Sequence, residues 1–240
     1  LPISRDLAAC ALTASPLAAA VDTQRAKLGL KTLADIFSAS AAEPTLLAQQ
    51  KADTNARLAI AATPTPNTPA ALEALVKASV PFVIATTSGK PRVPICVDAC
   101  GFRAHFPSDD ANIHSGESDF DPPRFKPAPD VYLRAASYVG GGGGLPPARC
   151  VAVEDSASGV GSAANAKIGL IVGYVGASHI TDKDGHARML MRGERSEDGR
   201  GADVVLADMA DLPAVVAAFG TGGGAAVRGA SWVRLPSCSS

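Results

Sequence analysis

The stretch that most constrains the fold runs from Cys150 to Gly173, CVAVEDSASGVGSAANAKIGLIVG. Cys150 to Val153 is a short apolar run without polar alternation, the pattern of a strand buried on both faces of a parallel sheet. It ends in two adjacent carboxylates, Glu154 and Asp155. Ser156 stands where it can cap the helix that follows, and Gly159 and Gly161 let that helix lie close on the sheet. The helix gives way at Gly169 to a second apolar strand, Leu170 to Val172. The unit is strand, acidic turn, helix, strand. Ligands of such units collect at the carboxyl ends of the strands. Two adjacent carboxylates there repel each other unless a cation joins them, and oxygen ligands favour a hard ion such as Mg2+. The plain alternative is a surface turn carrying two solvated acids, since acids are mostly exposed.

A second stretch lies upstream, Arg124 to Leu133, RFKPAPDVYL. Two prolines closely follow Lys126, so its loop is stiffened before the helix that Pro129 and Asp130 begin. A lysine held on such a loop can reach a phosphate or a carboxylate as a point charge. KPAPDVYL followed by VAVEDSASGV resembles the third and fourth motifs of the haloacid dehalogenase superfamily, most closely its phosphoglycolate-phosphatase and β-phosphoglucomutase-like branch. The resemblance covers about Pro69 to about Val216. It implies a Rossmann-like α/β core, a parallel sheet with helices on both faces, and a small helical cap.

The chain in order fits that outline. Leu1 to Ala62 is Ala-rich and helical in character, with Leu17, Val21, Leu28, Leu33 and Ile36 expected to be buried. Thr45 to Ala61 reads as a further helix. By resemblance, residues 1–66 are the cap; the alternative, the remains of an organelle (plastid) transit peptide, is opposed by Asp6 and Asp22. Thr63 to Asn67 is a Pro-rich connector. The core is expected over 67–219, and a Gly/Ser/Pro-rich tail over 220–240 is expected to be disordered. Thr68 is read as the cap of a helix with Leu72, Leu75 and Val76 on one face. Val80 to Ala85 reads as a buried strand ending in Thr86-Thr87-Ser88-Gly89-Lys90. Hydroxyls and free amides at such a turn make an anion site, though a Thr/Ser turn after a strand is usually only a helix cap. By resemblance it is the second motif, with Thr86 as the hydroxyl that holds the phosphate and Thr87 beside it. Arg92 to Gly101 is expected to be helical, a short strand is expected near Ile113, and the last strand and closing helix fall at Ala202 to Leu206 and Leu212 to Phe219. His179, at another strand end, reads as structural.

Composition narrows the function classes. The chain has 240 residues, 47% of them hydrophobic, and a formal net charge of −1. Nothing in that balance points to nucleic acid or an acidic membrane, and no apolar run has the length of a membrane span. The five cysteines are odd in number and include no CxxC pair, so neither a disulfide framework nor a zinc site is indicated. Reduced thiols suit an intracellular, cytoplasmic setting. The sequence sets no oligomeric state.

The resemblance implies a Mg2+-dependent phosphatase-type hydrolase acting on a small phosphorylated metabolite. Thr86 would bind the transferring phosphoryl group, Lys126 would neutralise it, and Asp155 with Glu154 would hold Mg2+. A phosphomutase is the nearest variant of that reading. The family's nucleophile is an aspartate that ends its first strand, in the pattern DxD, and no apolar run of this sequence ends so. Ile95 to Gly101 mimics it only faintly, without the second acid. The first residue is Leu, and the expectation is that the nucleophile strand has been lost upstream. That strand lies mid-sheet in the family, and its four or five aliphatic residues are worth about 6–15 kcal/mol, comparable to a whole domain's stability. The competing class is a non-catalytic fragment or pseudoenzyme that keeps the fold for binding.

Overall fold

The computed structural model describes residues 16–33, 35, 46–107 and 111–228. It divides into two units, Leu1–Ala61 and Ala62–Ser240, against an expected boundary at residue 66. In the first unit α1 spans Pro16–Lys27 and α2 spans Leu46–Ala61. Arg25 pairs with Asp53 and also donates to the Lys31 carbonyl, while Asp22 Oδ1 accepts from the Leu33 amide at 2.6 Å. Val21 and Leu28 are exposed, contrary to the expectation that they would be buried; α1 is mostly alanine and polar residues and presents no continuous apolar stripe. Leu17 and Ile36 lie outside what is described of side chains.

The second unit opens with α3, Thr68–Lys77. Thr68 proves to be its first helical residue and not its cap. The N-cap is Asn67, in the left-handed region at φ 62°, and its Nδ2 donates to Asp208 at 2.8 and 3.0 Å. Asparagine tolerates that backbone better than most side chains. Of the expected apolar face, Leu75 is buried, Leu72 half-buried and Val76 exposed; Ala71, four residues before Leu75, completes the buried stripe.

Among the described residues five short strands follow: β1 Ile84–Thr86, β2 Ile113–Ser115, β3 Val151–Glu154, β4 Leu170–Tyr174 and β5 Val204–Leu206. They form two parallel sheets, β1 with β2, and β3-β4-β5 in that order. Helices α4 (Arg92–Ala99), α5 (Asp130–Tyr138), α6 (Ala157–Asn165), α7 (Lys183–Arg192) and α8 (Leu212–Arg228) connect and close them. The mixed α/β layout with all pairs parallel agrees with the Rossmann-like core expected. Residues 80–83, expected to be strand, are not. A strand extends only as far as its neighbour pairs it, and the β2 partner is three residues long.

The core gathers in three apolar clusters. One cluster gathers Val131, Tyr132, Ala152, Val160, Ile168, Ile171 and Leu190 between the three-stranded sheet and α5, α6 and α7. Another joins Leu75, Leu170, Val172, Val204, Val215 and Val227 on the opposite face. Phe82 packs against this second cluster and also against the third, around Val97, Phe106 and Ile113. The tail expected to be disordered from Gly220 is instead helical to Arg228, broken only at Gly223, where φ is 63°. Val227 is fully buried in the second cluster, and that burial holds the last turn. Trp232 lies outside the described residues.

Candidate active site

β1 and β3 are edge strands of their two sheets, and among the described residues β1 pairs only with β2 and β3 only with β4. Ile84 and Thr86 spend their ladder bonds on β2, since Ile84 donates to Asn112 at 2.8 Å and Thr86 accepts from Gly116 at 2.8 Å. Ala85 turns the other way. Its carbonyl accepts from Lys126 Nζ at 3.0 Å, and the same ammonium pairs with Oε1 of Glu154, the last residue of β3. Lys126 thus ties the ends of β1 and β3 together across the space between the sheets.

Lys126, Glu154 and the Thr86 turn are therefore brought together at the carboxyl ends of the strands. The Thr86 hydroxyl accepts from the Ser88 amide at 3.1 Å, the local cap that such turns commonly make. Thr87 follows it, half-buried. The proline-stiffened Lys126 loop, with a cis Lys126–Pro127 bond, is pinned from behind by α6: Asn165 Nδ2 donates to the Pro127 carbonyl at 3.0 Å and Ser162 Oγ to the Ala128 carbonyl at 2.6 Å.

The adjacent acids have different surroundings. Glu154 is 8% exposed, and its Oε1 also accepts from the Tyr132 hydroxyl at 2.5 Å. Its Oε2 lies against α6, where a Cβ at Gly159 would fall 1.8 Å away; here the glycine is demanded by the carboxylate, not by the sheet. Gly161 likewise faces the Arg195 backbone, 2.6 Å from a notional Cβ, and not the sheet. Ser156 caps α6 as expected, accepting from Gly159 N at 3.0 Å. Asp155 turns outward with its side chain 43% exposed, and His179 Nε2 stands 3.7 Å from its Oδ2. The Asp155 carbonyl accepts from His186 Nε2 at 2.6 Å.

Sequence reasoning passed over four of these contributors. Tyr132 sits on the buried face of α5, a position that helical periodicity predicts to be inward but without naming its partner. Its hydroxyl is pushed well above the usual phenol range by burial, with the Glu154 charge and hydrogen bond adding to it. His186 and the Ser162/Asn165 pair carry no local signal, because each reaches a residue 31 to 38 positions away.

Asp155 is a hard, accessible carboxylate and fits Mg2+. Glu154 is committed to Lys126 and Tyr132 through Oε1, and among the described residues no group of three or more His, Cys, Asp or Glu is gathered to hold a metal.

Residues 9–167, well over half of the chain, match the haloacid dehalogenase-like hydrolase family. The chain belongs to that family. It is similar to a haloacid dehalogenase-like protein of unknown function from Agrobacterium tumefaciens, at 26% identity and TM-score 0.60, covering 90% of this chain and 93% of that one. A hydrolase of the family from Deinococcus radiodurans, solved with phosphate and sodium bound, shares the fold at 23% identity and TM-score 0.55, covering 85% and 89%. Protein CbbY of Rhodobacter capsulatus is 51% identical over 47 residues, which are 20% of this chain and 19% of that protein; the match spans under a fifth of its length.

Proposed function

We propose that this hydrolase is of the phosphatase type and binds a small phosphate ester at the carboxyl ends of β1 and β3. The observation that carries the reading is the placement of Lys126 Nζ on the Ala85 carbonyl and on Glu154 at once, because it sets one cation beside the hydroxyl turn of Thr86 and the acids after β3. Thr86 and Thr87 would take phosphoryl oxygens, and Lys126 would neutralise them. Asp155 would hold Mg2+, with water filling most of the shell and Glu154 acting chiefly on Lys126. When bound, the ion screens the repulsion between an anionic nucleophile and an anionic ester.

Among the described residues no strand ends in a DxD pair, and Asp98 is exposed on the last turn of α4, paired with Arg103. The chain as it stands should therefore bind phosphate and turn over no ester. Hydrolysis of a generic aryl phosphate, with Mg2+ or EDTA, tests this on two proteins: the 240-residue chain, and the same chain with an apolar strand ending in DxDG joined to it. Turnover is expected only in the second, with a higher melting temperature, and Asp→Asn at the first acid of the strand should keep the stability while abolishing the turnover. Hydrolysis by the 240-residue chain, stopped by Asp155→Ala, would overturn the reading and direct attention to Asp6 and Asp98 as nucleophiles.

A further inference from the structure

Lys126 has three ammonium protons. One goes to the Ala85 carbonyl and one to Glu154 Oε1, leaving the third for an incoming anion. A lysine buried to this degree, with its side chain 10% exposed, would be largely spent on a carboxylate it did not have to share. Glu154 Oε1 is shared, because the Tyr132 hydroxyl donates to the same oxygen. The Tyr132 ring also lies under the ammonium, 4.9 Å from Nζ to the ring centre, so one side chain touches the ion pair from both sides.

We propose that Tyr132 is a positioning residue, which by donating to Glu154 weakens that carboxylate's hold on Lys126 and keeps the lysine's third proton and part of its charge available for a phosphoryl oxygen. The inference rests on the phosphate-binding reading above. Two donors on one carboxylate oxygen divide its electron density, so each bond is weaker than it would be alone. Removing the phenol returns Glu154 to Lys126 undivided, and the lysine then attracts an external anion less. The phenol is suited to the task because it is a neutral donor held on Glu154 Oε1. The ring face contributes separately, by confining the ammonium to the direction of Ala85 and Glu154.

The test is inorganic phosphate binding to the whole 240-residue chain by calorimetry, in EDTA so that no metal takes part. Tyr132→Phe keeps the ring and removes only the hydroxyl, and should weaken phosphate binding about fivefold, on the order of 1 kcal/mol. Glu154→Gln removes the competing charge and should bind phosphate at least as tightly as the wild type. In the Glu154→Gln background, adding Tyr132→Phe should change the affinity less than twofold, since the hydroxyl acts through that charge. Equal affinities for the wild type and Tyr132→Phe would overturn the proposal. So would an equal loss in both backgrounds, which marks a packing effect. Should Tyr132→Phe fail to fold, phosphate binding weakened by Glu154→Gln alone would still refute it. A wild-type chain that binds no phosphate defeats the phosphatase reading and the proposal with it, and is told apart from the other outcomes by the first titration.

Discussion

A methyl group at Gly159 is the sharpest probe of how the site is built. It would stand 1.8 Å from Oε2 and 2.2 Å from Cδ of Glu154, well inside any contact distance, so in Gly159→Ala the carboxylate must leave its place. Moving it sacrifices the charge-assisted bonds to Lys126 and Tyr132, a loss of about 1.5–3 kcal/mol. Repacking around the extra carbon costs about 1–3 kcal/mol. The better helix propensity of alanine returns about 0.5–1 kcal/mol. The net is about 2–5 kcal/mol of destabilisation, or roughly a 5–20 °C fall in melting temperature for a unit of this size. Thermal unfolding followed by circular dichroism measures it. Glu154→Asp should restore much of the loss in the double variant, because a carboxylate drawn back by one methylene clears the new methyl. Gly220→Ala in α8 is the control: a Cβ there meets nothing within 4 Å, and the change should be neutral or slightly stabilising. A Gly159→Ala chain that melts at or above the wild type would refute the account of Glu154 as a carboxylate held between α6 and Lys126.

Three other outcomes are expected. His114 is buried beside the Tyr138 ring, with Nε2 lacking a hydrogen-bond partner; burial first, then the charge of Arg134, lowers its proton affinity, with Asp119 opposing and Lys90 assisting. Its folded pKa lies below the ordinary value, so the stability it contributes is full above about pH 6.5 and is lost as pH falls through the folded value; His114→Phe should flatten the fall of melting temperature between neutral and mildly acid pH. Ser156→Ala removes the cap that accepts from Gly159 N and should cost about 1 kcal/mol in denaturant unfolding. Calorimetry should find weak Mg2+ binding that Asp155→Asn lowers tenfold or more, about 1.4 kcal/mol, and tight stoichiometric binding that survives the substitution would contradict the assignment of Asp155.

How much of this was written in the sequence depends on how far apart the interacting residues lie. The unit β3-α6-β4 was legible from Cys150 to Gly173 because its signals are consecutive: an apolar run, two acids, a capping serine, a glycine-rich helix and a second apolar run. Lys126 was legible for the same reason, as the head of a proline-stiffened loop. Tertiary structure decided what those residues touch. The extent of β1 was set by the three residues of β2 that pair with it, and the helix past Gly220 by the burial of Val227 against β4 and β5, which no local propensity of a glycine run predicts. The division of labour between Glu154 and Asp155 was settled likewise by contacts made across long stretches of chain. Glu154 is drawn to Lys126 and Tyr132, 28 and 22 residues away, while the Asp155 backbone is held by His186 and its carboxylate stays exposed beside His179. Two neighbouring acids look alike in a string of letters; burial and hydrogen bonding, which arise only when the chain closes on itself, make one a partner for a lysine and leave the other exposed.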